Sequence, residues 1–194
     1  MIDDISSTPT DIPFVVVSGL PASGKTTLSR GLAVALSLPL IDKDDILEVL
    51  FESLGVGNDD WRQRLSRASD EILERLARSS SGSVLTSFWR NPQISTHSGT
   101  PTDWITAASR CVIEVYCVCD PEVAAARFIN RVRHRGHLDS GKQYEDVVSN
   151  FRSLTALGPL GIGGLLQVNT SGEVNLGEVV KNVKSRLQAS KLGF

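Results

Sequence analysis

Residues 14–27 read FVVVSGLPASGKTT, and the fold follows from them. Phe14 to Ser18 is a short, continuous β-branched run, as expected of a strand buried on both faces. Gly19 to Thr26 then matches G-x-x-x-x-G-K-[ST] in full. Leu28, Leu32, Ala35 and Leu36 follow at helical spacing. Strand, glycine loop and helix in that order make a phosphate-binding loop. The residue types answer to the chemistry. Glycines let backbone N–H groups close around phosphate oxygens, and the helix N-terminus adds its dipole. Gly19, Ala22, Ser23, Gly24, Lys25, Thr26 and Thr27 are therefore the candidate nucleotide contacts. Lys25 is suited to neutralise β- and γ-phosphates, and the Thr26 hydroxyl to ligate Mg2+.

Working outward, strand and helix patterns alternate along the chain. Leu38 to Ile41 reads as a second strand, Ser83 to Phe88 as a third, Cys111 to Cys119 as a fourth and Leu165 to Asn169 as a fifth. Ile46, Val49, Leu50 and Leu54 suit a helix closed by Gly55 and Gly57, and Trp61, Leu65, Ala68, Ile72 and Leu76 mark a longer one. Asp120-Pro121 opens a helix expected to run to Arg135, with Gly136 as its cap. Glu145 to Leu157 and Leu176 to Leu187 complete the set, and Asn91 to Asp103 reads as a loop. Alternation of this kind predicts an α/β domain with a parallel sheet.

The chain has 194 residues, 41% hydrophobic and 22% charged, which predicts one globular domain rather than disorder. We expect residues 1–12 to be a flexible leader and residues 13–194 a single domain. Net charge is -2, against a broadly basic nucleic-acid binder. There is no run of 18 apolar residues and no signal-peptide pattern, so no membrane partner and a cytoplasmic location are expected. The three cysteines read as thiols of a reducing compartment.

Two further clusters carry chemistry. Asp42-Lys43-Asp44-Asp45 follows the second strand, and ligands of open α/β sheets bind at the carboxyl ends of strands. Asp44 is the candidate general base for an attacking hydroxyl, and Asp42 the candidate metal or substrate contact. Asp45 suits the acidic first turn of a helix. Between Val123 and Leu138 lie Arg127, Arg131, Arg133 and Arg135 with no acid among them. Arg127, Arg131 and Arg135 recur every four residues, which predicts one helical face. Like charges so placed repel by a few tenths of a kcal/mol each unless an anion offsets them. This segment, about 127–142, reads as a basic lid over a triphosphate, with Arg131 at its centre. Ser87-Phe88-Trp89-Arg90 offers the best lining for an acceptor: Trp89 as a flat apolar face, Arg90 as an anion contact, with core packing of Phe88 and Trp89 as the alternative.

Taken together, the phosphate loop, the Asp42–Asp45 cluster, the R-x-x-x-R segment ending in Arg-Gly-His and the Val-Asn-Thr-Ser end of the last strand resemble the P-loop kinases. The nearest group is that of gluconate kinase, zeta-toxin-like kinases, chloramphenicol phosphotransferase and polynucleotide 5′-hydroxyl kinase. The resemblance spans roughly residues 14–187. It implies a three-layer P-loop NTPase fold, with five parallel strands in order 2-3-1-4-5 flanked by helices and a small arginine-rich lid. It implies ATP and Mg2+ as cofactors, Arg131 and Arg135 as lid residues, and Asn169 and Thr170 beside the adenine. Two departures matter. The polynucleotide kinases have Asp-x-x-Arg where this chain has Asp44 and Leu47, which argues against a nucleic-acid acceptor. Many relatives carry an acid after the third strand, where this chain has Thr86-Ser87; that shifts the metal role onto Thr26 and Asp42. The expected activity is transfer of the γ-phosphate of Mg·ATP to a small-molecule hydroxyl, with Lys25, Asp44 and Arg131 as catalytic residues. The alternatives are a nucleotide-binding regulatory module and a nucleic-acid 5′-hydroxyl kinase.

Overall fold

A computed structural model describes residues 9–93, 98–137 and 141–191. The expected leader therefore lies mostly outside the described residues, as do parts of the expected loop (94–97) and lid (138–140). Five strands form one parallel sheet in the order β2-β3-β1-β4-β5, as the resemblance to the P-loop kinases implies. They are β1 (Phe14–Gly19), β2 (Leu40–Asp42), β3 (Ser83–Thr86), β4 (Val112–Val118) and β5 (Gly164–Asn169). The helices are α1 (Lys25–Leu36), α2 (Lys43–Leu54), α3 (Asp59–Ser79), α4 (Asp103–Ala108), α5 (Pro121–Asn130), α6 (Tyr144–Ala156) and α7 (Leu176–Lys191). The short α4 falls where the reading changes from loop to strand and was not anticipated.

The central strand explains why the run at 14–18 is continuous rather than alternating. Val16 packs on one side with Leu73, Leu85 and Ile105, against α3 and α4. Val15 and Val17 pack on the other with Leu28, Leu32 and Val183, against α1 and α7. Both faces are covered, so both need apolar side chains. Full burial of each such side chain stabilises by roughly 1.5–3 kcal/mol. The leader's end is also tied down: Thr10 bridges Ser109, and Arg110 donates its backbone N–H to the Thr10 carbonyl at 2.8 Å.

One helix is shorter than its sequence pattern suggests. Asp120 and Pro121 open α5 as expected, the Asp120 carboxylate accepting from the backbone of Glu122 and Val123. The helix stops at Asn130, and Arg131 is already extended. Residues 135–137 form a single 3₁₀ turn instead of a capped helix end. Arg127, Arg131 and Arg135 therefore do not share a helical face. The cause is tertiary: the segment leaves the helix to dock on α2, as described below.

The core also holds an acid that no sequence pattern singles out. Glu114 of β4 is fully buried. Its carboxylate accepts from Ser18 Oγ at 2.6 Å, Leu160 N at 2.8 Å and Gly161 N at 3.0 Å. It thus anchors the connection into β5 to the strand that leads into the phosphate loop. Truncation would strand one buried donor, Ser18 Oγ, and two part-buried backbone donors, each costing on the order of 1 kcal/mol or more. Glu114→Ala is expected to lose about 3 kcal/mol of unfolding free energy in a urea titration, whereas an exposed acid such as Glu52→Ala stays within about 0.5 kcal/mol.

Candidate active site

The phosphate loop is built by backbone constraint. Gly19 ends β1 with φ +131°, and a Cβ there would lie 2.7 Å from the Cys117 carbonyl oxygen of the neighbouring strand. Ala22 and Gly24 also take positive φ, so the loop curls tightly before α1 starts at Lys25. Lys25 Nζ donates back to the carbonyls of Gly19 at 3.1 Å and Leu20 at 2.7 Å. Burial in the loop lowers its pKa to about 8, with Arg131 adding to the shift and Cys117, Asp44 and Asp42 opposing it. These side chains therefore sit within one another's electrostatic reach.

Asp42 ends β2 as a buried carboxylate. One oxygen accepts from the Asp44 backbone N–H at 2.9 Å and so caps α2. The other lies 3.3 Å from Thr26 Oγ1, at the start of α1. Burial pushes the Asp42 pKa up to about 6, with the Asp44 and Asp45 carboxylates adding to it. A buried carboxylate beside a threonine hydroxyl suits a hard divalent cation, which prefers oxygen ligands. Among the described residues no cluster of three His, Cys, Asp or Glu is placed to hold a metal alone. A Mg2+ here would take its remaining ligands from phosphate oxygens and water, as is usual for that ion.

Above these groups opens a cleft of about 1140 Å³. It is lined by Ala22, Gly24, Lys25, Thr26 and Thr27 of the loop, by Asp42 and Asp44, by Arg127 and Arg131, and by Thr170. Other expected site residues fall elsewhere. Gly19 and Ser23 support the loop from below, outside the lining. Asn169 is exposed and outside it, accepting from the backbone of Ser171. Arg135 is exposed and also outside it. Trp89 belongs to the core: it is buried, with Nε1 donating to the Val17 carbonyl at 2.9 Å. Arg90 turns toward the following loop, Nη2 donating to the Gly99 carbonyl at 3.3 Å. The cleft wall at the end of β3 is instead made by Thr86, Ser87 and Phe88. Arg127 has a second role, its guanidinium donating to the carbonyls of Thr170 and Ser171 at 2.8 Å each. It pins the turn after β5 beside the loop.

The arginine nearest the candidate base is Arg133. Its Nη2 lies 2.5 Å from Asp44 Oδ2 and 3.2 Å from His137 Nε2, and His137 Nε2 lies 2.7 Å from Glu48 Oε1. Phe51 of α2 stacks on His134, with ring centroids 5.5 Å apart. A Cβ on Gly136 would come within 2.3 Å of the Phe51 ring, so only glycine allows this approach. Arg131 instead lies over the Phe128 ring at 4.4 Å. The sequence carried no signal separating Arg133 from its neighbours, because its partner is 89 residues away.

A parallel sheet in this order, with a phosphate loop after the first strand and carboxylates after the second, defines the P-loop NTPase fold. The AAA domain family model matches residues 14–153, and the chain belongs to that family. A Chloroflexus aurantiacus J-10-fl protein provisionally assigned as a kinase superposes with a TM-score of 0.72 at 28% identity, covering 94% of this chain and 98% of that one. Shikimate kinase from Bacteroides thetaiotaomicron superposes with a TM-score of 0.59 at 17% identity, covering 91% and 98%. In sequence, the shikimate kinase of Bordetella avium is 38% identical over 82 residues, 38% of each chain. The chain spans two fifths or less of the length of the curated relatives it matches.

The docked segment should respond to acid. Burial holds the His137 pKa below its ordinary value, with Arg133 adding to the shift; Glu48 and Asp44 oppose it. A depressed folded pKa gives stability that is present above the unfolded value, near 6.5, and is lost as pH falls through the folded value. Urea unfolding at pH 7.5 and pH 5.5 should therefore show wild type losing more stability on acidification than His137→Gln.

Proposed function

We propose that this chain is an ATP-dependent phosphotransferase acting on a hydroxyl group of a small molecule. The observation that carries this is the meeting of Lys25, Asp42, Thr26 and Asp44 in one cleft. The cleft's volume supports it, since about 300–1,000 Å³ suffices for one small ligand and this one has room for a nucleotide and a modest acceptor. The kinase named among the sequence relatives supports it too.

In this reading the triphosphate lies along the loop, with its phosphates on the backbone N–H groups from Ala22 to Thr26. Lys25 moves from the loop carbonyls to the β- and γ-phosphate oxygens. Mg2+, held by the Thr26 hydroxyl and by Asp42 directly or through water, would neutralise charge on the same oxygens. Asp44 accepts the proton of the acceptor hydroxyl as its oxygen bonds to the γ-phosphorus. The bond from that phosphorus to the β,γ-bridging oxygen breaks, and ADP leaves with the bridging electrons. Arg133 orients the Asp44 carboxylate, while Arg131 and Arg127 flank the triphosphate. Such a site works mainly by positioning and electrostatics.

The test is transfer of label from γ-labelled ATP into a panel of sugar acids, polyols, cyclic hydroxy acids, nucleosides and amino alcohols. Asp44→Asn should lower kcat by about 10²–10⁴-fold with little change in Mg·ATP affinity. Lys25→Ala should weaken both binding and transfer, the latter by at least about 100-fold. Tight Mg·ATP binding that needs Lys25, without a labelled product, would replace the enzyme reading with that of a nucleotide-responsive module.

A further inference from the structure

The third strand ends in hydroxyls, and a charge stands one layer behind them. Ser87 Oγ lies 2.5 Å from Thr100 Oγ1, and Thr100 Oγ1 donates to Asp70 Oδ1 at 2.7 Å. A threonine hydroxyl has one hydrogen, and an ionised carboxylate only accepts. The direction of the chain is thereby fixed: Ser87 donates to Thr100, and Thr100 donates to Asp70. With its own hydrogen directed inward, the Ser87 oxygen keeps its lone pairs for the cleft, whose wall it forms.

The same Asp70 oxygen takes Lys43 Nζ at 2.9 Å, and Lys43 Nζ also lies 3.0 Å from Ser66 Oγ. Lys43 stands between Asp42 and Asp44 in sequence but is buried against α3, on the far side of the helix start. Thr100 is fully buried and held by its own backbone: its N–H donates to the Phe88 carbonyl at 2.9 Å, and its carbonyl accepts from Arg90 N at 2.8 Å. Gly99 makes this approach possible, since a Cβ there would lie 2.8 Å from Arg90 N. A largely buried ion pair of this kind is a poor source of stability, because apolar side chains of similar volume often serve as well or better. Its geometry, however, reaches two walls of the cleft from one carboxylate.

We propose that Asp70 is a positioning residue for phosphoryl transfer. Through Lys43 it fixes the turn that carries Asp42 and Asp44. Through Thr100 it holds Ser87 as a hydrogen-bond acceptor on the cleft wall. The molecule that suits this wall carries a second donor, a hydroxyl or amino group, close to the hydroxyl that is phosphorylated. The inference rests on the kinase reading above and adds to it a restriction on the acceptor.

The experiment compares wild type, Thr100→Val, Thr100→Ser, Ser87→Ala and Asp70→Asn, using the panel compound that wild type labels fastest. Mg·ATP affinity is measured beside it by calorimetry. Thr100→Val removes the relay without touching Lys43. It should raise the KM for the acceptor about tenfold, the loss of one well-made hydrogen bond, with Mg·ATP affinity within twofold of wild type. Thr100→Ser should restore the wild-type KM. Ser87→Ala should match Thr100→Val, and Asp70→Asn should in addition lower kcat, because it loosens the Asp44 side as well. Unchanged acceptor KM in Thr100→Val, or a loss in it that Thr100→Ser does not rescue, overturns the relay while leaving the kinase standing. Weakening of Mg·ATP binding in step with transfer also overturns it, since a merely structural defect would do that. Wild type that binds Mg·ATP but labels nothing overturns the kinase reading, and the relay falls with it.

Discussion

The Asp42 carboxylate is the constraint on which the site depends. It lies at the end of a three-residue strand, buried, with one oxygen on the backbone of Asp44 and the other near Thr26 Oγ1. Those two contacts reach the first residues of two helices. Holding both by one rigid carboxylate sets where the phosphate loop ends relative to where the candidate base begins. Burial raises the energy of the charged form, which is why its pKa is pushed up to about 6. A neutral asparagine would cap α2 about as well. Folding therefore explains the charge poorly, and in the proposed reading a Mg2+ beside it would account for it.

On the other side of the cleft, the segment after α5 supplies what the helix could not. A continuous helix to Arg135 would have spaced its arginines along one face, with no means of reaching Asp44. Ending at Asn130 lets the chain cross to α2, where Gly136 and His134 close around Phe51 and Arg133 meets the carboxylate.

The sheet was legible because each strand is a short apolar run and each crossover a helix with ordinary periodicity. The phosphate loop was legible because its glycines, lysine and threonine are close in sequence and chemically determined. Asp42 and Asp44 could be placed by the rule that ligands sit at strand carboxyl ends. What stayed hidden was set by pairs far apart in the chain. Arg133 was indistinguishable from three neighbouring arginines until its partner was known. Glu114 lay inside an apolar strand pattern and gave no hint of the three donors around it. Trp89 could equally have faced the cleft or the core; its indole N–H decided it, because the buried Val17 carbonyl was within reach. The helix boundary at Asn130 was hidden for the same reason, since the arginine spacing continues past it while the chain turns to pack on α2.

A division of labour follows for the cleft as a whole. The side proposed for the nucleotide is held by backbone: the close approach of Gly19 to Cys117, the left-handed turn at Gly24, and the carbonyls of Thr170 and Ser171 clamped by Arg127. Backbone contacts tolerate change in many side chains, which suits a ligand common to a whole fold. The side proposed for the acceptor is held by side chains: Asp44 on Arg133, Ser87 on Thr100, Thr100 on Asp70. Each of these can be altered by one substitution without disturbing the loop. On the proposed reading, selectivity for the acceptor would be written where the sequence is free to vary, and a shared phosphate loop alone would say little about what a chain phosphorylates.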